Sequence, residues 1–378
     1  MYRNEIRKLT RFMPMWIFLA LCLVLNIIIT FNSPEREYFN EISLIAKAAG
    51  QKMNGDYAGR LDTLPSSDIK ADVEYIAEHI RPIYGTYDVE SELTGYYTNI
   101  VSKSPKAVSM LEKKYAAVQG QVDHLAEIEA DMDLYAGPVT DQSYKRLFYT
   151  LMKALSAETC IIGMLLSVYL VSYEKMTGTE QFFSSTRIGR KICICKIITA
   201  LLSTIAIYVL LNTVSLGIYF LHWDYSGIWD ANISSQFHTV TDLTLTKPFI
   251  TVADFSVKGY LMAAVALGFV LVAIASLCAS IIGILVKNNY VAGLLTLLIP
   301  ALGLFVTTVM GDLKMWPAYL YSLLQPVCIW LAEPVWFTEG GFNAPCLWFE
   351  VKGLLLSLAL FLIALYGSVQ LYYRKDVA

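Results

Sequence analysis

Long apolar runs, separated by short charged segments, dominate the pattern of this chain. Uncharged stretches extend from Phe12 to Phe31, Ile197 to Leu221, Gly259 to Val286, Asn289 to Gly311 and Gly353 to Tyr373. A sixth, Leu147 to Tyr173, is as long but carries Lys153 and Glu158. About 20 helical residues cross a hydrocarbon core of roughly 30 Å, and every one of these runs is long enough. Backbone polar groups have no water to bond in lipid, so such runs read as helices. The pattern predicts an all-α polytopic membrane protein with six transmembrane helices.

Two other regions break this rhythm. Residues 32–146 show helical periodicity instead of apolar runs: Ile42, Ile45, Ala46 and Ala49 recur at three and four, as do Ile69, Val73, Ile76 and Ile80. Pro34, Ser66 and Ser104-Pro105 read as helix starts, and Gly55, Gly85 and Gly95 as breaks. A helical domain is expected here, continuous with the first and second spans. It serves either to bind a substrate or partner, or as a structural cap. Between Lys314 and Glu350, Trp316 to Ala332 is apolar but short and interrupted by Pro317 and Pro326. A re-entrant hairpin before the last span fits it better than a seventh crossing, and its many aromatics suit an interface. The predicted organisation is 1–31, a terminus and first span; 32–146, the helical domain; and 147–378, the remaining spans with a loop at 173–196 and the hairpin at 314–350.

Charge supplies the orientation. With the N-terminus inside, the inner segments hold Arg3, Arg7, Lys8, Arg11, Lys175, Arg187, Arg190, Lys191, Lys196, Lys287, Arg374 and Lys375. The short outer segments hold Lys247, Lys258, Lys314 and Lys352. Twelve against four places both termini in the cytoplasm and the 32–146 domain and the hairpin outside. The first apolar run has no small-residue cleavage site after it and reads as a retained anchor. Composition agrees with a membrane protein: 56% of residues are hydrophobic, 16% charged, and the mean hydropathy is +0.50. A net charge of −3 gives no reason to expect a nucleic-acid partner.

Chemistry of its own is sparse. The chain has no phosphate-binding Gly-x-x-x-x-Gly-Lys, no His-Glu-x-x-His and no Gly-x-Ser-x-Gly. Its four histidines (His79, His124, His222, His238) are scattered, and no metal site is expected, the Cys193-x-Cys195 pair lacking a second pair of ligands. Cys328 and Cys346 both fall on the outer side, where a disulfide between them is open. Inside the spans only Lys153 and Glu158 are ionisable. Lys153 can snorkel to the outer interface, which leaves Glu158 about 7 Å deeper at 1.5 Å per residue. Two roles remain for Glu158: contact with a substrate path, or a satisfied interfacial carboxylate.

The most specific segment is the loop from Tyr173 to Lys191, continued by Lys196. It resembles the loop between the second and third helices of permeases in the type-2 ABC exporter family. There an acidic residue and a Gly-Thr end the second helix, an amphipathic coupling helix follows, and a Ser-Thr turn and basic residues lead to a lysine opening the third. Glu174, Gly178, Thr179, Phe182, Phe183, Ser185, Thr186, Arg190 and Lys196 match that order; Arg187-Ile188-Gly189 departs from it, where the family often has a proline. The resemblance implies that Glu174, Gly178, Thr179, Glu180, Phe182, Phe183, Arg187 and Arg190 couple this chain to a separate ABC ATPase. It also implies a second permease subunit, identical or a sister chain, in a bacterial cell membrane. ATP and magnesium would bind the partner, with no cofactor in this chain and no enzymatic activity of its own. Outward movement of an amphipathic or peptide-like substrate is the expected function. The loop alone also fits a helix lying on anionic lipid. A membrane receptor whose outer domain binds a ligand or peptide is the alternative function, although the longest inner segment is a loop too short for an output domain.

Overall fold

The computed structural model describes residues 2–80, 82–134, 141–179, 181–182, 191–235 and 249–374. Among them there are helices and turns but no strands, only three isolated β-bridges. Six helices are long and apolar enough to cross a membrane, which makes this a multi-pass membrane protein.

A short helix, α1 (Tyr2–Thr10), precedes the first span, α2 (Met13–Phe31), which Pro14 opens. Met15, Leu19, Cys22, Asn26 and Thr30 are the buried residues of α2. Their spacing puts them on one face, leaving the rest of the helix for lipid or a partner. Next come α3 (Arg36–Ala49), α4 (Tyr57–Leu61), α5 (Asp68–His79), α6 (Gly95–Val101) and α7 (Pro105–Glu127). Ser67, one residue beyond the expected start, caps α5 by accepting from the Lys70 amide at 3.0 Å. Gly95 is not a break: a π-helical turn, Glu90–Thr94, runs straight into α6.

These helices do not form one separate core. Phe39, Ile42, Ile45, Tyr57, Val73 and Ile76 of α3–α5 belong to the same apolar core as the membrane spans. Val101, Leu111, Tyr115, Val118 and Val122 of α6 and α7 form a second core with Leu320, Leu323 and Cys328. The first half docks tightly through Gly227, whose amide donates to Ser43 Oγ at 2.9 Å and whose carbonyl accepts from Gln51 Nε2 at 2.8 Å. A Cβ at Gly227 would collide with the Ser43 carbonyl.

A turn of helix, α8 (Asp141–Tyr144), continues through a π-helical stretch, Lys145–Met152, into α9 (Lys153–Met176). The span therefore begins at Lys145, two residues before the apolar run. Then follow α10 (Ile192–His222), α11 (Val257–Leu285) and α12 (Asn289–Asp312). Residues 314–350 hold only short elements, including α13 (Trp316–Ser322) and α14 (Pro326–Leu331), before the last span, α15 (Phe349–Arg374). Pro317 and Pro326 each open one of these short helices, so the apolar stretch is divided into two and forms no single helix of spanning length.

The Lys145–Met176 span is central, with 67% of its apolar window buried, against 11% for α12 and 17% for α15. Small and hydroxyl side chains let it approach its neighbours. Ser167 and Ser276 share a hydrogen bond of 2.8 Å between α9 and α11, and Gly163 lies against Thr204 of α10. At one end of the bundle, hereafter the domain end, the hairpin is tied to the spans. Tyr144 and Tyr260 hydroxyls donate to the Pro334 and Trp336 carbonyls at 2.6 and 2.9 Å. Cys328 and Cys346 are both free thiols. Cys328 sits in the second core with Gln325 Nε2 3.3 Å from its sulfur, whereas Cys346 packs against the first, so no disulfide joins them.

Candidate functional site

At the opposite, loop end of the bundle, charged side chains are buried together. Glu174, in the last turn of α9, is 6% exposed. Its Oε1 accepts from Lys8 Nζ of α1 at 2.9 Å, and its Oε2 from Lys196 Nζ near the start of α10. Lys8 also donates to Glu5 Oε1 at 2.7 Å and lies 4.5 Å from the centre of the Tyr173 ring. Two carboxylates are thus answered by two ammonium groups, and the clamp joins three helices that are distant in sequence. Buried charges persist where they are matched in this way.

The next residue caps a fourth helix. Lys175 Nζ donates to the carbonyls of Gly283, Ile284 and Val286 at 2.8, 3.3 and 3.1 Å, at the C-terminal end of α11. A cation there also complements the negative end of the helix dipole. Tyr372 of α15 lines a cavity of about 20 Å³ with Glu174, Lys175, Cys193 and Lys196. Both described ends of the chain, α1 and the end of α15, therefore lie at the loop end.

The sequence motif beyond Glu174 has a plain structural cause. The Thr179 amide donates to the Glu174 carbonyl at 2.9 Å and the Gly178 amide to the Lys175 carbonyl at 3.4 Å. This is the Schellman arrangement, which needs a left-handed residue just past the helix. Gly178 supplies it, with φ at +67°. The threonines reinforce the stop, Thr177 and Thr179 hydroxyls lying 2.8 Å apart. Phe182 follows with 69% of its surface exposed. Glu180, Phe183, Ser185, Thr186, Arg187 and Arg190 lie outside the described residues. The structure thus brings Glu174 together with Lys196, and gives Gly178 and Thr179 a local role. It adds Lys8 and Lys175, which the sequence pattern marks only as inner-side charges, and Glu5, which it does not single out.

Glu158 lies on the same helix toward the domain end. Its Oε2 accepts from Asn26 Nδ2 of α2 at 2.9 Å, and the same amide nitrogen donates to Ser215 Oγ of α10 at 3.2 Å. Lys153 is not its partner: that ammonium donates to the Leu331 carbonyl at 3.1 Å and lies over the Trp330 ring. A third buried carboxyl, Glu333, accepts from Ser156 Oγ at 2.8 Å, and burial pushes its pKa up to about 8. Asp224 pairs with Lys47 at 3.1 Å, and its hydrogen bonds to Ser226 and the nearby ammonium hold its carboxyl below the ordinary range against the effect of burial. His238 lies outside the described residues, and among those described no three His, Cys, Asp or Glu side chains are grouped to hold a metal ion.

Searches of family models, curated proteins and solved structures gave no match. Function must be argued from the residues of this chain.

Proposed function

We propose that this chain is the membrane subunit of an ABC exporter, driven by a separate ATPase that docks on the loop beyond Gly178. The observation that carries this reading is the clamp at Glu174. A loop that receives a mechanical push needs a rigid connection to the helices it moves. Glu174 joins the loop-proximal end of α9 to α1 and α10, Lys175 joins it to α11, and Gly178 ends the helix where the loop begins. The exposed Phe182 offers an apolar contact for a soluble partner. Motion of the loop is then delivered to the bundle as a rigid-body shift.

On this reading the loop end is cytoplasmic, the 32–146 region and the hairpin face outward, and ATP and magnesium belong to the ATPase. The lipid-exposed faces of α2 and α12 leave room for a second permease subunit. A cavity of about 550 Å³ between α12, the hairpin and α6, lined by Trp316, Tyr319, Phe342, Leu304 and Asp312, gives an amphipathic or peptide-like substrate a place to lodge. The test is the double variant Phe182→Asp/Phe183→Asp. It is expected to insert normally and to lose the ATPase on purification in mild detergent. Recovery of the ATPase at the wild-type level would sink the coupling role of this loop.

A further inference from the structure

Three spans meet at Glu158 around a polar cluster that the clamp does not use. Asn26, Ser215 and Glu158 are 1%, 3% and 6% exposed, on α2, α10 and α9 respectively. Both contacts of the Asn26 amide nitrogen run to acceptors, Glu158 Oε2 and Ser215 Oγ. Two acceptors then remain buried with no partner: Glu158 Oε1 and Asn26 Oδ1. The Cys22 thiol, one turn earlier on α2, lies against the carboxyl.

No positive charge faces this group among the described residues. Between Met13 and Phe31, α2 carries no ionisable group except Cys22, and α10 has none between Lys196 and His222 apart from Tyr208 and Tyr219. The Tyr208 hydroxyl donates to the Val265 carbonyl and Tyr219 is bonded to Tyr225. On α11, Lys258 and Lys287 lie at or beyond the two ends, Tyr260 binds the Pro334 and Trp336 carbonyls, and Cys278 belongs to a separate cluster with Met164 and Val168. On α12 only Tyr290 and Asp312 can titrate, at its two ends. Arg146 binds the carbonyls of Ile29 and Asn32, Lys153 binds that of Leu331, and Lys8 of α1 is held at Glu174. Glu333, beside α14, is bonded to Ser156. On α9 itself the remaining titratable groups are Cys160 and, about three and four turns beyond Glu158, Tyr169 and Tyr173.

An isolated carboxylate in such a place carries a large desolvation penalty, and a buried acid without a counter-charge neutralises instead. We propose that Glu158 is a proton-binding site within the membrane, and that its bound proton holds α2 against α9 and α10. The proton adds to the carboxylate and makes Oε1 a donor, which is what two neighbouring unpartnered acceptors lack. Its release leaves a lone anion, so it must be accompanied by entry of water or by parting of α2. This inference does not rest on the exporter reading and is tested on the chain alone.

The experiment uses the full chain in lipid vesicles, wild type against Glu158→Gln, which mimics the neutral acid. The infrared difference between them at neutral pH is expected to contain the carbonyl stretch of a protonated carboxylic acid, lost reversibly as the pH is raised. The variant is expected to fold, to unfold at the wild-type temperature at neutral pH, and to lose part of the wild-type decline at alkaline pH. Carboxylate bands alone at neutral pH would overturn the proposal, as would failure of Glu158→Gln to fold. Stabilisation of the wild type but not the variant by sodium, in place of potassium, would assign the site to a metal cation and overturn it as well.

Discussion

Glu174 and Glu158 stand on one helix, sixteen residues apart, and are held in opposite ways. That separation is about 24 Å along α9. Glu174 is met by two lysines from two other helices, whereas Glu158 is met by an amide and a thiol and keeps one oxygen unpartnered. Burial is the same for both, at 6% exposure. The difference teaches that burial alone does not decide what a carboxyl in a bundle does; the charge on the facing helices decides. The Glu174 end is a clamp between opposite charges. The Glu158 end can be opened by removing one proton.

The largest effect should come from breaking the clamp. Glu174→Ala leaves Lys196 and Lys8 without their shared counter-charge and is expected to cost about 3–5 kcal/mol. Unfolding in mild detergent measures it. Adding Lys196→Met should recover part of that loss, because the two sites are coupled by about 0.5–3 kcal/mol. Strictly additive losses would show that the pair is not a clamp. Next in size, Asn26→Leu strips Glu158 of its hydrogen-bond donor and should cost about 1–3 kcal/mol. Gly178→Val forces a branched side chain into left-handed backbone and should cost about 1–2 kcal/mol, with the loss confined to the loop end in hydrogen exchange.

A separate effect concerns pH at the domain end. Burial raises the Glu333 pKa from 4.5 to about 8, so the folded chain binds a proton more tightly than the unfolded one. Stability from this group is complete at acid pH, falls as pH rises from about 4.5 to about 8, and is level above that. Glu333→Gln is expected to flatten that fall. An unchanged slope would mean that Glu333 is ionised throughout.

Six spans were readable because an apolar run of the necessary length has few other uses, and the interruption of Trp316–Ala332 because two prolines divide it into short helices. Gly178 was readable as part of a motif, and its left-handed backbone gives the reason. The partners of Glu174 were not. Lys8 and Glu5 look like ordinary terminal charges, and only the packing of α1 against α9 and α10 brings them to the carboxylate. Periodicity in 32–146 showed which faces are apolar but not what covers them. The two halves of that region turned out to belong to different cores. Gly95 continues a helix since nothing at that position demands a positive φ. For Glu158, its place within an apolar run was readable, while its amide partner on α2 is a matter of tertiary register.

The central claim is that this chain works with a separate ATPase docked at the end of the bundle where Glu174 is clamped. Its most direct test is affinity purification of the full chain from its native membrane in mild detergent, with mass spectrometry of the partners. The account predicts a stoichiometric ATPase with a phosphate-binding loop, crosslinkable to a cysteine introduced at Phe183. If no such ATPase is recovered even after crosslinking, the exporter reading is contradicted, and the helical region after the first span becomes the place to look for a ligand.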